Sequence, residues 1–293
     1  MFVIIGFIVV IGAIVGGYLM EHGNLMVLMQ PAELVIIAGA GFGTLLIANP
    51  LHTLIDVMKG VLGTLKGSPF TKAFYVEQLR MLNDIFIYAR KNGMAKLEAD
   101  LDEPDKSQIF TKYPEFLKDH HALQFFCDTV RMSISGGVAP FELDQLMELD
   151  LEVQHHSHAE SAAALNTVAD ALPGIGIVAC VLGIVITMGA LGGPPEAVGH
   201  KVAAALVGTF LGILLCYGFL APLASNMGKM GEAQGQYMQF LRLGVLAFVK
   251  GTAPSLAVEF ARRGIPLHLR PSFKETEAAI KGHGAAAPPA AAA

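Results

Sequence analysis

Charge is scarce in this chain. Asp, Glu, Lys and Arg make up 15% of its 293 residues, hydrophobic residues make up 53%, and mean hydropathy is +0.53. Ordinary soluble domains carry about 25% charged residues, so this composition excludes one. The net charge of −5 gives no electrostatic footing for nucleic acid. Cysteine is equally sparse. Cys127, Cys180 and Cys216 have no paired spacing, which argues against a disulfide framework or a zinc site. No stretch alternates in the period-2 manner of a strand, so the expected fold is all-α.

The missing charges are gathered into gaps. None lies between Asp170 and Glu196, and none between Lys201 and Lys229. Each gap exceeds the ~20 apolar residues that cross a bilayer. Gly192, Gly193, Pro194 and Pro195 between them read as a turn. Upstream, Phe2 to Met20 is uncharged and lacks a basic n-region and a small-residue cleavage site, so it reads as an uncleaved span. A second span is expected from about Leu34 to Ile47, extending at most to Ile55, with Pro31 opening it. Gly12 with Gly16 on the first span, and Gly39, Gly41 and Gly43 on the second, read as smooth faces.

Lys and Arg set the orientation. The segment from Leu51 to Ala169 holds 11 of them and the segment after Asn226 holds 8, whereas the two short connectors hold only Lys201. The positive-inside rule places both long segments and both termini in the cytoplasm. The expected layout is therefore transmembrane helices one and two over 1–55, a helical cytoplasmic domain over 56–169, helices three and four over 170–228 and a cytoplasmic helical segment over 229–281. A disordered Ala/Pro tail over 282–293 follows. Within the cytoplasmic domain, Tyr75, Leu79, Leu82, Phe86 and Ala89 share one face of a helix that Asn92-Gly93 stops. A helix is expected from Glu115 to Ser133, and another from Phe141 to about Ala164.

Small residues recur at helical spacing on the last two spans: Gly176, Cys180, Gly183 and Thr187 on one, Ala205, Thr209, Gly212 and Cys216 on the other. Gly208 and Gly212 form a GxxxG. Such a stripe lets backbones approach closely in lipid. It packs the hairpin on itself, or it faces a guest helix or an ion path; spacing leaves both open. Neither span has a carboxylate in its interior, yet proton paths use a titratable group near mid-depth. A proton path along this hairpin would need its carboxylate from another chain. His155, His156 and His158 lack the i, i+4 spacing of a metal pair and read as a solvated face. No convergent polar constellation in the spans points to an enzyme, and none calls for a cofactor.

Several stretches together carry a resemblance: PAELVIIAGAGFG from Pro31, VGTFLGIL from Val207, YGFLAPLA from Tyr217, AVEFAR from Ala257 and RPSF from Arg270. In this order and layout they resemble the flagellar stator subunits of the MotA/TolQ/ExbB proton-channel family, over nearly the whole chain except the tail. The resemblance implies a homopentamer in the bacterial inner membrane, ringed around a dimer of MotB transmembrane helices whose aspartate carries the proton. Ion flow would turn the ring and push the rotor through the switch protein FliG. Pro173 and Pro222 match the family's mechanical prolines, and Arg90 and Glu98 match its rotor-contacting charges. Sodium-driven members resemble one another in a threonine where this chain has Cys180, so proton coupling is expected. The alternative within the family is an ExbB- or TolQ-like energiser of the cell envelope, which has one span rather than two before its cytoplasmic domain.

Overall fold

The computed structural model of the chain describes residues 2–189, 192 and 194–281, and every regular element among them is helical. The expected disordered tail, 282–293, lies outside the described residues. In chain order the helices are α1 (Phe2–Met20), α2 (Leu25–Leu28), α3 (Pro31–Ala48), α4 (Leu51–Lys66), α5 (Lys72–Asn92), α6 (Met94–Asp102) and α7 (Pro114–Lys118). Then come α8 (His120–Ile134), α9 (Pro140–Met188), α10 (Pro195–Leu214), α11 (Ala221–Val249), α12 (Pro254–Gly264) and α13 (Phe273–Lys281). A π-helical stretch, Leu215–Leu220, joins α10 to α11. Four stretches are long and apolar enough to cross a membrane: Phe2–Met20, Leu25–Ala48, Pro140–Met188 and Pro195–Val249.

Three boundaries differ from the sequence reading, each for a local reason. The second span does not run on to Ile55. Pro50 forces Asn49 into extended backbone (φ −133°, ψ 147°), so α3 stops and α4 starts afresh. The helix expected from Glu115 to Ser133 is two, because Asp119 restarts it: its carboxylate accepts the Ala122 N–H, the mark of an N-cap. Conversely, the helix expected to end near Ala164 and the third span are one 49-residue helix, α9. No Gly or Pro stands between Ala164 and Leu172 to interrupt it.

The chain divides into two compact units, Met1–Ser68 with His156–Gly231, and Pro69–His155 with Glu232–Ala293. In the first, α3 buries Glu33, Ile37, Gly41 and Leu45, four residues apart and hence on one side of the helix. Of the three glycines expected to form a smooth face, only Gly41 is approached; a Cβ there would lie 3.0 Å from Leu172 Cδ2, whereas Gly39 and Gly43 have nothing within 4 Å. At ~3.6 residues per turn, positions two apart lie on opposite sides. α4 is held by Thr53, whose hydroxyl donates to Glu160 Oε1 at 2.9 Å, and by Val57 in an apolar cluster with Leu45, Leu165 and Leu223. α1 buries no residue. It touches the rest through Phe7, edge-on to Phe219 with centroids 5.0 Å apart, and nothing approaches Gly12 or Gly16.

The second unit is built on an aromatic core. Tyr75, Leu79, Leu82, Phe86 and Ala89 of α5 are all buried, as their shared face implies. Phe86 stacks on Phe248 with centroids 4.3 Å apart, and the Tyr237 hydroxyl donates to Gln78 Oε1 at 2.9 Å. The AVEFAR and RPSF stretches lock the C-terminal end of this unit. Glu259 accepts two 2.7 Å bonds from Arg262, whose Nη1 also donates to the Pro271 carbonyl. Ser272 and Glu275 form a reciprocal capping box that starts α13, and Lys72 of α5 pairs with Glu275 at 2.7 Å.

Candidate ion-path and torque sites

Small residues let the backbones of α9 and α10 touch. A Cβ added to Gly176 would lie 2.8 Å from Gly208 O and 3.0 Å from Gly212 Cα; one on Gly212 would lie 2.6 Å from Leu172 O. Gly183 meets Ala205 in the same way, at 2.7 Å from its Cβ. Gly176, Gly183, Ala205 and Gly212 thus pack the hairpin on itself. Thr187 is buried and its hydroxyl donates to Gly183 O at 2.8 Å, so it too is turned to its own helix. The residue of α10 between Ala205 and Gly212 in this seam is Gly208, not Thr209: a Cβ on Gly208 would lie 3.1 Å from Ala179 Cβ and 3.2 Å from the Cys180 nitrogen. Thr209 is half-buried beside the seam and Cys180 is buried in it, which leaves these two near one level.

The seam holds a group that sequence reading passed over. Glu33, in the first turn of α3, is 8% exposed, and a Cβ on Gly208 would lie 2.6 Å from its Oε2. Its Oε1 is 3.5 Å from the Cβ position of Gly183. The carboxyl therefore reaches into the cleft that α9 and α10 leave where both carry glycine. The signal was in the PAELVII stretch: an acidic residue inside an apolar span is a functional candidate by default. Reading only the third and fourth spans for carboxylates concealed it.

The two prolines differ. Pro173 is inside α9, not in a first turn where it would cost little. Pro222 is in the first turn of α11, immediately after the π stretch. Because Pro222 has no N–H for the Gly218 carbonyl, the helix must relieve that turn. It widens over Leu215–Leu220, with the Ala221 N–H bonding to Cys216 O five residues back. Such π bulges are common at functional positions.

In the second unit α5 ends at Gly93, whose φ of +87° and ψ of 157° lie in a positive-φ region essentially open only to glycine. α6 starts immediately, so Arg90 and Glu98 flank a tight corner. Arg90 is exposed and its Nη2 donates to the Gly251 carbonyl at 3.1 Å; Glu98 is half-buried. Among the described residues, no group of three His, Cys, Asp or Glu side chains is placed to hold a metal. His155, His156 and His158 lie on α9, where the His158 Cβ is 2.9 Å from the Cβ position of Gly231.

Four membrane-crossing helices, a glycine seam between the last two and a separate helical unit with an aromatic core define a polytopic helical membrane protein. Residues 4–93 match the family model described as "Motility protein A N-terminal", and residues 118–239 match "MotA/TolQ/ExbB proton channel family". The chain is 41% identical to Motility protein A of Escherichia coli K12 over 96% of its own length and 95% of the relative's. It is 36% identical to the chemotaxis protein LafT of Vibrio parahaemolyticus over 93% and 96%. Its fold is shared with a chain of the Campylobacter jejuni MotAB structure, at TM-score 0.73, 19% identity and coverage of 90% and 95%. A chain of the flagellar MotAB stator complex of Bacillus subtilis gives 0.70, 22%, and 91% and 94%. The chain belongs to the Motility protein A family, within the MotA/TolQ/ExbB proton channel family. It is a transport component rather than an enzyme.

Proposed function

We propose that the chain is the ring-forming stator subunit of a flagellar motor, which assembles with a MotB-type partner and converts proton flow into torque. The observation that carries this reading is the near full-length identity to Motility protein A, which spans both units rather than the membrane helices alone. It favours the motility branch over an envelope energiser, because the N-terminal match includes both early spans. α9 and α10 of one chain expose Ile177, Val181, Ile184, Val185 and Leu206, an apolar surface suited to lipid, to neighbouring copies or to a guest helix. Five copies around two MotB helices would occupy it.

Both termini and the segment 56–169 face the cytoplasm in this reading, as the Lys and Arg distribution favours. There Arg90 and Glu98 would meet FliG. Cys180 and Thr209 would face the path, and Pro173 with the π stretch before Pro222 would supply the bending that moves the ring. The test is expression in a bacterium lacking its own Motility protein A. Restored swimming, and co-purification with MotB, are expected. Co-purification with an envelope-energising partner and no motility would overturn the reading.

A further inference from the structure

We propose that the cleft between α1 and the π stretch binds one acyl chain of a membrane phospholipid, with an anionic headgroup held at Asn226 and Lys229. The inference rests on the membrane-crossing helices and not on the stator reading.

Val10 lies 3.3 Å from the Cβ position of Gly218, Phe7 leans on Phe219, and Val3 packs toward the cluster of Leu223 and Met227. α1 therefore runs antiparallel to the π stretch and the start of α11. Between them lies a cleft of about 310 Å³, lined by Phe2, Gly6 and Val10 on one side and by Gly218, Pro222 and Asn226 on the other. Gly6 opens it, since a Cβ there would meet nothing within 4 Å. Eight residues separate Phe2 from Val10, and eight separate Gly218 from Asn226. At ~1.5 Å of helix rise per residue, each wall is about 12 Å long.

Size and surroundings select the occupant. A helical segment of that length and about 10 Å across fills roughly 900 Å³, so no guest helix fits inside. A single extended hydrocarbon chain does. The bilayer supplies such chains here, because α1 is uncharged and buries none of its 19 residues. The other end of the cleft is polar. Pro222, Asn226 and Lys229 follow one another at helical spacing, so Lys229 stands one turn beyond the cleft on the same face. Asn226 is half-buried in the lining, yet its side chain makes no hydrogen bond among the described residues. Lys229 is exposed and forms no ion pair among them. An amide donor and an unpaired cation at the mouth of an apolar slot suit a phosphate whose acyl chain lies in the slot. A chain seated there packs on Gly218 and Pro222, so the π stretch bends against lipid rather than against protein.

The experiment places the full chain, with its MotB-type partner, in phosphatidylethanolamine vesicles. They hold a trace of phosphatidylglycerol that carries a photoactivatable diazirine in one acyl chain. Illumination and peptide mass spectrometry locate the label, which is expected to concentrate on residues 2–10 and 217–226. Gly6→Leu fills the slot without a backbone clash and should abolish the label on residues 217–226. A phosphatidylcholine probe of the same chain should label the wild type about fivefold less, the scale of one lysine at an anionic surface. Lys229→Gln should bring the two probes level. Label spread evenly along α1 and unchanged by Gly6→Leu is ordinary bilayer contact and overturns the proposal. So does absence of label from both stretches, the result if a neighbouring copy covers the cleft, and so does equal labelling of the wild type by the two probes. If Gly6→Leu fails to assemble, Lys229→Gln decides: a lost preference for phosphatidylglycerol supports the site, and an unchanged one contradicts it.

Discussion

The two units of this chain pack with opposite materials. In the second, the contacts are large side chains: of the twelve biggest fully buried residues, all but Ile37 belong to it. In the first, the decisive contacts are made where side chains are missing, at Gly176, Gly183, Gly208 and Gly212. Water explains the second unit, because burying Phe, Tyr and Leu removes apolar area from it. In lipid that gain vanishes, and close backbone approach takes over. The aromatic unit encloses its rings in a core of its own, although Phe141, Leu149 and Leu267 stay exposed, whereas the glycine unit leaves the whole of α1 and one side of α9 uncovered.

The contrast predicts opposite responses to volume. Phe86→Ala should cost about 3–5 kcal/mol, because it removes a stacked ring from a core with no slack. Thermal unfolding of the solubilised protein measures it. At Gly212 the harm comes from adding atoms. Gly212→Val should cost about 1–3 kcal/mol by overpacking, since the nearest obstacles are Leu172 O and the Gly176 backbone, which cannot rotate away. The readout is yield of complex with MotB. Tolerance of valine there would break the comparison.

Surface charge should separate stability from function. Reversing Arg90 and Glu98 together should cost only about 1 kcal/mol of stability, the scale of the lost Arg90 hydrogen bond to the Gly251 carbonyl. The same change should sharply lower torque, and compensating reversals on the rotor protein should restore part of it. Unchanged swimming would remove this corner from the rotor contact.

The smallest expected effect is acidic fraying of α13. Lys72 and the Ser272 cap hold the Glu275 carboxyl down to about 2, against an ordinary value of ~4.3. A lowered carboxyl value stabilises the fold above the ordinary value, and the contribution is lost as pH falls from there through about 2. Hydrogen exchange of α13 amides should therefore be flat from neutral pH to about 5 and accelerate below it, beyond the intrinsic pH dependence. Glu275→Gln should remove that step.

Most of the architecture was legible because its causes are local. Uncharged length marked the spans, and the face formed by Tyr75, Leu79, Leu82, Phe86 and Ala89 marked α5. What escaped depends on more than one segment. The continuity of α9 through Pro173 needs tertiary support that no propensity records. Thr209 and Gly208 are adjacent, and only the approach of α9 shows which one enters the seam. Glu33 sits far from the hairpin in sequence, so its meeting with Gly183 and Gly208 became visible only when α3 was packed against them. The family resemblance supplied Arg90, Glu98 and the two prolines, which composition alone would have left as surface charge and helix punctuation.

The central claim is that proton flow through this chain and its partner drives rotation. Motor speed at fixed membrane potential and pH, recorded while external sodium is varied, tests it most directly. Sulfur at Cys180 is a poor ligand for a hard cation, and a proton needs only titrating carboxyls and transient water. The account predicts a speed independent of sodium and abolished by a protonophore. A speed that rises and saturates with sodium would contradict it.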